Sequence, residues 1–274
     1  MGEPPLSMRQ SRAAKKRQVR HVLTGTAALL FFVLSVAGAA YYVGTREPPL
    51  DRVTLCPRGG PAGHIVLLVD KTDPLNFTQK QAFLRLLEEL VEHGVAPGQL
   101  VSVFVLGEDY RHAATPVVEI CNPGRGEGKS ALTANIPRLS AQFRDRFRQP
   151  LLKQAEVLMS ATPSPSSPIL EMLQLVAING FRKHGVKGPR RLIIVSDMLH
   201  NTARYSMYQG SQDYRAFEAS DYGRTMHTDL AHVEVELHYV LHSPRLQTRR
   251  QLKFWEDYFS RSGARVVAVN PMEG

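Results

Sequence analysis

The chain has 274 residues, 43% hydrophobic and 22% charged, a composition that builds an ordinary folded core and excludes a low-complexity protein. Its formal charge of +9 invites a nucleic-acid reading, but residues 1–20 hold six bases against one acid while all later residues hold 28 bases against 24 acids. That distribution leaves no basic groove, so nucleic acid is excluded as the expected partner.

The basic arm, residues 1–21, leads into VLTGTAALLFFVLSVAGAAYYV, residues 22–43, which carry no charged side chain. About 20 apolar residues cross a bilayer as a helix, so a single transmembrane helix is expected here. The flank behind it (Arg46, Glu47, Asp51, Arg52) is balanced. The positive-inside rule then puts the N-terminus in the cytoplasm and everything from residue 46 outside it, which in a Gram-negative bacterium is the periplasm. Tyr41 and Tyr42 fall at the outer interface. A cleaved signal peptide is the competing reading, because Ala37-Gly38-Ala39 has the small-x-small form of a cleavage site. The length of the apolar run and of the arm before it favours a retained anchor.

A Pro- and Gly-containing linker, 44–63, comes next, and an α/β domain, 64–270, follows. HIVLLVD (64–70) is the continuous apolar run of a strand buried on both faces. Residues 78–94 place Phe83, Leu86, Leu87, Leu90 and Val91 at helical spacing, with Thr78 as N-cap and Gly94 as terminator. Strands are predicted at 100–107 and 116–121, helical structure at 136–160, a Ser/Pro loop at 161–167 and a helix at 169–185. RRLIIVSD (190–197) is a second apolar strand ending in an aspartate. After a polar, Tyr-rich stretch (198–230) come a strand (231–241), a helix (247–263) and a last strand (264–270). Such alternation implies a mostly parallel, Rossmann-like sheet flanked by helices. The only two cysteines, Cys56 and Cys121, both lie on the outward side of the anchor and are expected to form a disulfide.

Three stretches invite a chemical reading. CNPGRGEGKS (121–130) ends like a phosphate loop, but Pro123 stands where the motif needs its first glycine, and proline lacks the N–H such a cradle uses. No nucleotide is expected. His232, Glu234, Glu236 and His238 share one face of a strand, the pattern of a solvated face rather than a zinc site. Asp70-Lys71-Thr72 matches the opening of the phosphorylation motif of P-type pumps, yet Asp73 and Pro74 replace its last two residues. No later acidic pair completes the magnesium site of a haloacid-dehalogenase-like enzyme. A phosphatase or phosphotransferase with Asp70 as nucleophile is the alternative reading, and a metal-free envelope scaffold is another; no enzyme is expected.

Asp70 and Asp197 both end apolar strands, which places them on the carboxyl rim where ligands bind in sheets of this kind. Asp70 with Thr72 after the first strand, Ser167 before Pro168 at a helix start, and Asp197 ending the fourth strand follow the order of the metal-ion-dependent adhesion site of the von Willebrand factor type A (vWA) family, which residues 64–270 resemble. Pro74 replaces the second hydroxyl of that family's first motif. The resemblance implies Mg2+ held by Asp70, Thr72, Ser167 and Asp197, and a protein partner whose carboxylate completes the coordination. Tyr205, Tyr208 and Tyr214, in the segment leaving the same rim, are the expected partner contacts.

Overall fold

The computed structural model describes residues 6–44, 49–107, 109, 114–130, 134–161, 163–186, 188–209 and 212–273. The chain divides into two units at Pro48/Pro49. The first is one helix, α1 (Leu6–Gly44). Its apolar window, Leu23–Tyr41, is 19 residues long and fully exposed. At 1.5 Å per residue it measures about 28 Å, close to the hydrocarbon thickness of a bilayer. By length and composition this helix fits a membrane anchor.

The second unit is a helix-flanked sheet of six strands: β1 (His64–Asp70), β2 (Leu100–Leu106), β3 (Val118–Cys121), β4 (Arg190–Ser196), β5 (Val233–Val240) and β6 (Arg265–Met272). Their spatial order is β3-β2-β1-β4-β5-β6, with every pairing parallel except that of β3 on β2. β1 and β4 lie in the middle and carry side chains to both faces. Val66 and Leu68 pack on one side, with α6 (Ile169–Leu175) and α9 (Arg249–Arg261). Ile65, Leu67 and Val69 pack on the other, with α2 (Phe77–Glu89) and the helical run α3–α5 (Ile136–Phe143, Gln149–Lys153, Ala155–Met159). Double-sided burial is why these strands read as unbroken apolar runs.

Several helices end in π-turns: Leu90–Gly94 after α2, Arg144–Arg148 after α3 and Val176–Arg182 after α6. The cap of α2 is Asn76 rather than Thr78. Asn76 Oδ1 accepts from Gln79 N at 3.0 Å, while Gln79 Oε1 accepts from Asn76 N at 3.0 Å, a reciprocal capping box.

The expected linker is part of the domain from Pro49 onward. Leu55 is buried, Cys121 N donates to Thr54 O at 2.8 Å, and Cys56 and Cys121 form a disulfide with their Cα atoms 4.8 Å apart. The segment therefore lies along the β3 edge of the sheet.

The Gly-rich loop after Cys121 has a structural role. Because β3 is antiparallel, Cys121 pairs with Leu100 at the amino end of β2, the end of the sheet opposite Asp70. Asn122 Nδ2 donates to Val95 O at 2.7 Å, and Arg125 pairs with Glu92 at 2.5 Å. The Arg125 guanidinium also lies 4.0 Å from the centre of the Phe143 ring. On β5, Glu236 binds Arg191 at 3.0 Å and Glu234 binds Arg265 at 2.6 Å, so that acidic face is paired within the sheet. His232 lies just outside the strand with φ 63°.

Candidate functional site

Strand order reverses between β1 and β4: the chain winds outward from β1 through β2 to β3, and from β4 through β5 to β6. The crevice beyond the carboxyl ends of that central pair is where open α/β sheets bind ligands. Val69 pairs with Val195, so Asp70 and Ser196 leave the sheet side by side and Asp197 follows at once.

Asp70 lies at the centre of a hydrogen-bonded network. Its Oδ1 accepts from Thr72 N at 3.0 Å and from Thr72 Oγ1 at 2.7 Å. Its Oδ2 accepts from Ser196 Oγ at 2.8 Å and from Ser167 Oγ at 3.3 Å. Burial raises the Asp70 carboxyl above its ordinary value, opposed by these donors. Ser167 is held there by a two-way backbone bridge to Asn201, with N–O distances of 2.8 and 3.0 Å. Its neighbour Ser166 turns away and donates to Asn201 O at 3.2 Å.

Asp197 occupies a different setting. It is 4% exposed, and its Oδ1 accepts from Leu199 N at 2.9 Å. Burial and then the neighbouring Asp70 push its carboxyl up to about 8. The next residue, Met198, has φ 58°, an uncommon conformation for a side chain of its size. Tertiary bonds hold it there: Trp255 Nε1 donates to Met198 O at 2.8 Å and Gln251 Nε2 donates to the same oxygen at 2.6 Å.

Two further groups join Asp197. A carboxylate oxygen of Asp73, one of Asp197 and a ring nitrogen of His242 all lie within 4.8 Å of one another. His242 comes from the loop after β5, which Gln247 clamps to the rim. Gln247 Nε2 donates to Val240 O at 2.7 Å and to Asp197 O at 3.1 Å, while its Oε1 accepts from His242 N at 2.8 Å. Neither Asp73 nor His242 stands out in the sequence, since each sits in a loop of no special composition. Ser196 was missed because it reads as the last residue of a strand.

The partly parallel six-strand order, the D-x-T turn leaving β1, the serine before α6 and the aspartate leaving β4 are now together. The fold is vWA-like. No family model matches the sequence, and no curated protein matches it. Among solved structures, similarity is found to an aerotolerance-related membrane protein from Bacteroides fragilis carrying multiple mutations to serine (10% identity, TM-score 0.34, covering 77% of this chain and 91% of that one). The SpRpn10 VWA domain is similar at 10% identity and TM-score 0.36, with 77% of this chain and 89% of that domain covered.

Of the magnesium set implied by the vWA resemblance, Asp70 draws Thr72 and Ser167 together at the end of β1. The hydroxyls of Thr72, Ser196 and Ser167 all turn onto Asp70, whose two oxygens are both engaged, and Pro74 has no hydroxyl to add. Asp70, Thr72 and Ser167 thus form one hydrogen-bonded set, in which each hydroxyl gives its proton to Asp70 and keeps the oxygen lone pairs that a cation takes. Asp197 and Asp73 carry the carboxylates that remain open.

Of the three predicted partner tyrosines, Tyr208 is the most exposed. Tyr205 stacks on Phe254 with ring centres 6.1 Å apart, and Tyr214 meets the same ring edge-on at 5.5 Å. Both belong to the aromatic packing between α9 and the short helices α7 (Tyr214–Ala219) and α8 (Asp221–Thr225). Their amphipathic rings gain more from that apolar contact than from water. Tyr208 is 44% exposed, and its hydroxyl is pushed up to about 12 by burial and by the charges of Asp197, Asp73 and Asp70.

Proposed function

We propose that this chain is a membrane-anchored interaction module. In this reading α1 holds it to the bilayer with the basic arm in the cytoplasm, and the vWA-like domain outside presents its strand-switch rim to a protein partner, bridged by a divalent cation. The observation that carries the reading is the rim itself: Asp73, Asp197 and exposed Tyr208 come together in the loops just beyond the carboxyl ends of β1 and β4, at the switch point. Tyrosine is enriched in protein interfaces. The Cys56–Cys121 disulfide supports an extracytoplasmic domain, since such bonds persist in oxidising compartments. An anchor also confines the search for a partner to the membrane plane.

The hydrogen bonding of Asp70 supports binding over phosphoryl transfer. A nucleophile must have an oxygen free for its substrate, whereas both oxygens of partly buried Asp70 are engaged, by four donors in all. The test is site-specific photo-crosslinking from position 208 of the full chain in its native membrane, with Asp197→Ala alongside. A discrete adduct lost in Asp197→Ala and on chelation is expected. A Tyr208 position that yields no adduct under any condition sinks the interaction reading. Proteolysis from outside sealed cells checks the orientation, and a fully protected domain would reverse it.

A further inference from the structure

His242 carries a nitrogen that neither packing nor hydrogen bonding explains. Its Nε2 lies 3.3 Å from Gln79 Oε1. The orientation of that amide is set by its other end, because Gln79 Nε2 donates to Leu241 O at 3.2 Å and to Met272 O at 3.3 Å. Gln79 Oε1 also accepts from Asn76 N, completing the cap of α2. A carbonyl oxygen only accepts, so the proton of a neutral His242 ring sits on Nε2. Nδ1 is left as a bare lone pair, and it is buried without a hydrogen-bond partner.

Asp197 supplies a second unmatched donor atom. It is 4% exposed, its Oδ1 takes the Leu199 N–H, and none of the described residues donates to its other oxygen. Buried polar atoms are normally paired, so the bare His242 Nδ1 beside an uncommitted Asp197 oxygen points to a missing ligand. Asp73 adds a second carboxylate, and the ligand atoms of all three residues fall within 4.8 Å of one another. The Gln247 clamp fixes His242 and Asp197 to each other, so the grouping does not depend on one loose side chain.

We propose that Asp73, Asp197 and His242 form a binding site for a borderline divalent cation of the zinc class. An imidazole with two carboxylates suits such an ion, whereas magnesium prefers an all-oxygen set. Gln79 acts from behind as a positioning residue, fixing the tautomer as hydrogen-bonded partners of metal-bound histidines do. The site shares Asp197 with the set implied by the vWA resemblance but replaces its hydroxyls with an imidazole. Three protein ligands leave one tetrahedral position open on the rim, for water or for a donor from a partner. The partner's donor rests on the interaction reading above; the metal site does not.

The experiment uses the full chain in lipid nanodiscs, stripped of metal and titrated with Zn2+ against a chromophoric chelator. One zinc per chain is expected, with affinity lowered about tenfold or more in Asp73→Asn, Asp197→Asn and His242→Ala. Ser167→Ala keeps the affinity, and millimolar magnesium does not displace the zinc. X-ray absorption at the zinc edge of the unaltered protein then shows one imidazole among oxygen donors, a readout that stands even if a variant misfolds. No stoichiometric zinc, a first shell without imidazole, or affinity lost in Ser167→Ala and kept in His242→Ala would overturn the assignment. Zinc bound as expected with no adduct from position 208 leaves the site standing and removes the interaction reading. An adduct formed without any zinc site removes this inference alone.

Discussion

Replacing Cys56 and Cys121 together with alanine removes a cross-link that closes a span of 65 residues. The chain-entropy relation for a loop of that length gives about 14–15 cal/mol/K, or about 4 kcal/mol at 25 °C. Alanine is the better replacement because Cys121 is fully buried and a serine hydroxyl there would add a desolvation cost. Besides the disulfide, the segment is tied to the domain by the Thr54–Cys121 backbone bond at 2.8 Å, the Arg146 guanidinium donating to Arg52 O at 2.5 Å, Ala62 N donating to Gly98 O at 2.9 Å and the burial of Leu55. Total stabilities of about 5–15 kcal/mol are usual, so the loss is a large fraction of the whole. The assay is a urea titration of the full chain in mild detergent, followed by far-ultraviolet circular dichroism, with a reduced sample of the unaltered protein beside it. A change below about 1 kcal/mol, or a midpoint that reductant leaves in place, would refute the loop-entropy reasoning.

Acid should destabilise the domain through its neutral histidines. Burial holds His64 and His200 at about 3 in the fold, against 6.5 when exposed. The unfolded chain then binds more protons between those values, so stability falls as pH drops below about 6.5, by about 1.4 kcal/mol per pH unit for each histidine. Unfolding titrations across that range should show a shallower slope for His64→Gln, and an unchanged slope would count against the assignment. Asn76→Ala should cost about 1 kcal/mol through loss of the α2 cap, and Thr78→Ala close to nothing; equal losses in chemical denaturation would contradict the capping box. Gly223→Ala should destabilise by about 3 kcal/mol, because the new Cβ would lie 1.9 Å from Phe217 O. A thermal midpoint equal to that of the unaltered protein would show that α7 and α8 can separate freely.

The parallel sheet was legible because β1 and β4 are buried on both faces and so appear as unbroken apolar runs ending in aspartates. A helix long and apolar enough to cross a bilayer was legible by length and composition alone. What could not be read depends on contacts distant in sequence. His242 is brought to Asp197 by Gln247, just before α9, which donates to Val240 O and Asp197 O, and is backed by Gln79, at the start of α2, which donates to Leu241 O. The three tyrosines looked alike as letters, and only packing against Phe254 separates Tyr205 and Tyr214 from Tyr208. The hydroxyls of Thr72 and Ser167 stand where the vWA pattern puts them, but hydroxyl direction is set by the nearest acceptor, which is Asp70. Thr78 lost the cap to Asn76 because the reciprocal bond with Gln79 satisfies two backbone donors at once.

The left-handed turn at Met198 has an optical consequence. Its carbonyl receives the indole N–H of Trp255, the chain's single tryptophan, and its amide adjoins Asp197. A ligand that moves Asp197 must shift this carbonyl or strain its bond to the indole. Tryptophan emission is sensitive to that hydrogen bond, so the protein carries its own fluorescent gauge of the rim, one covalent step from the candidate site and needing no added label.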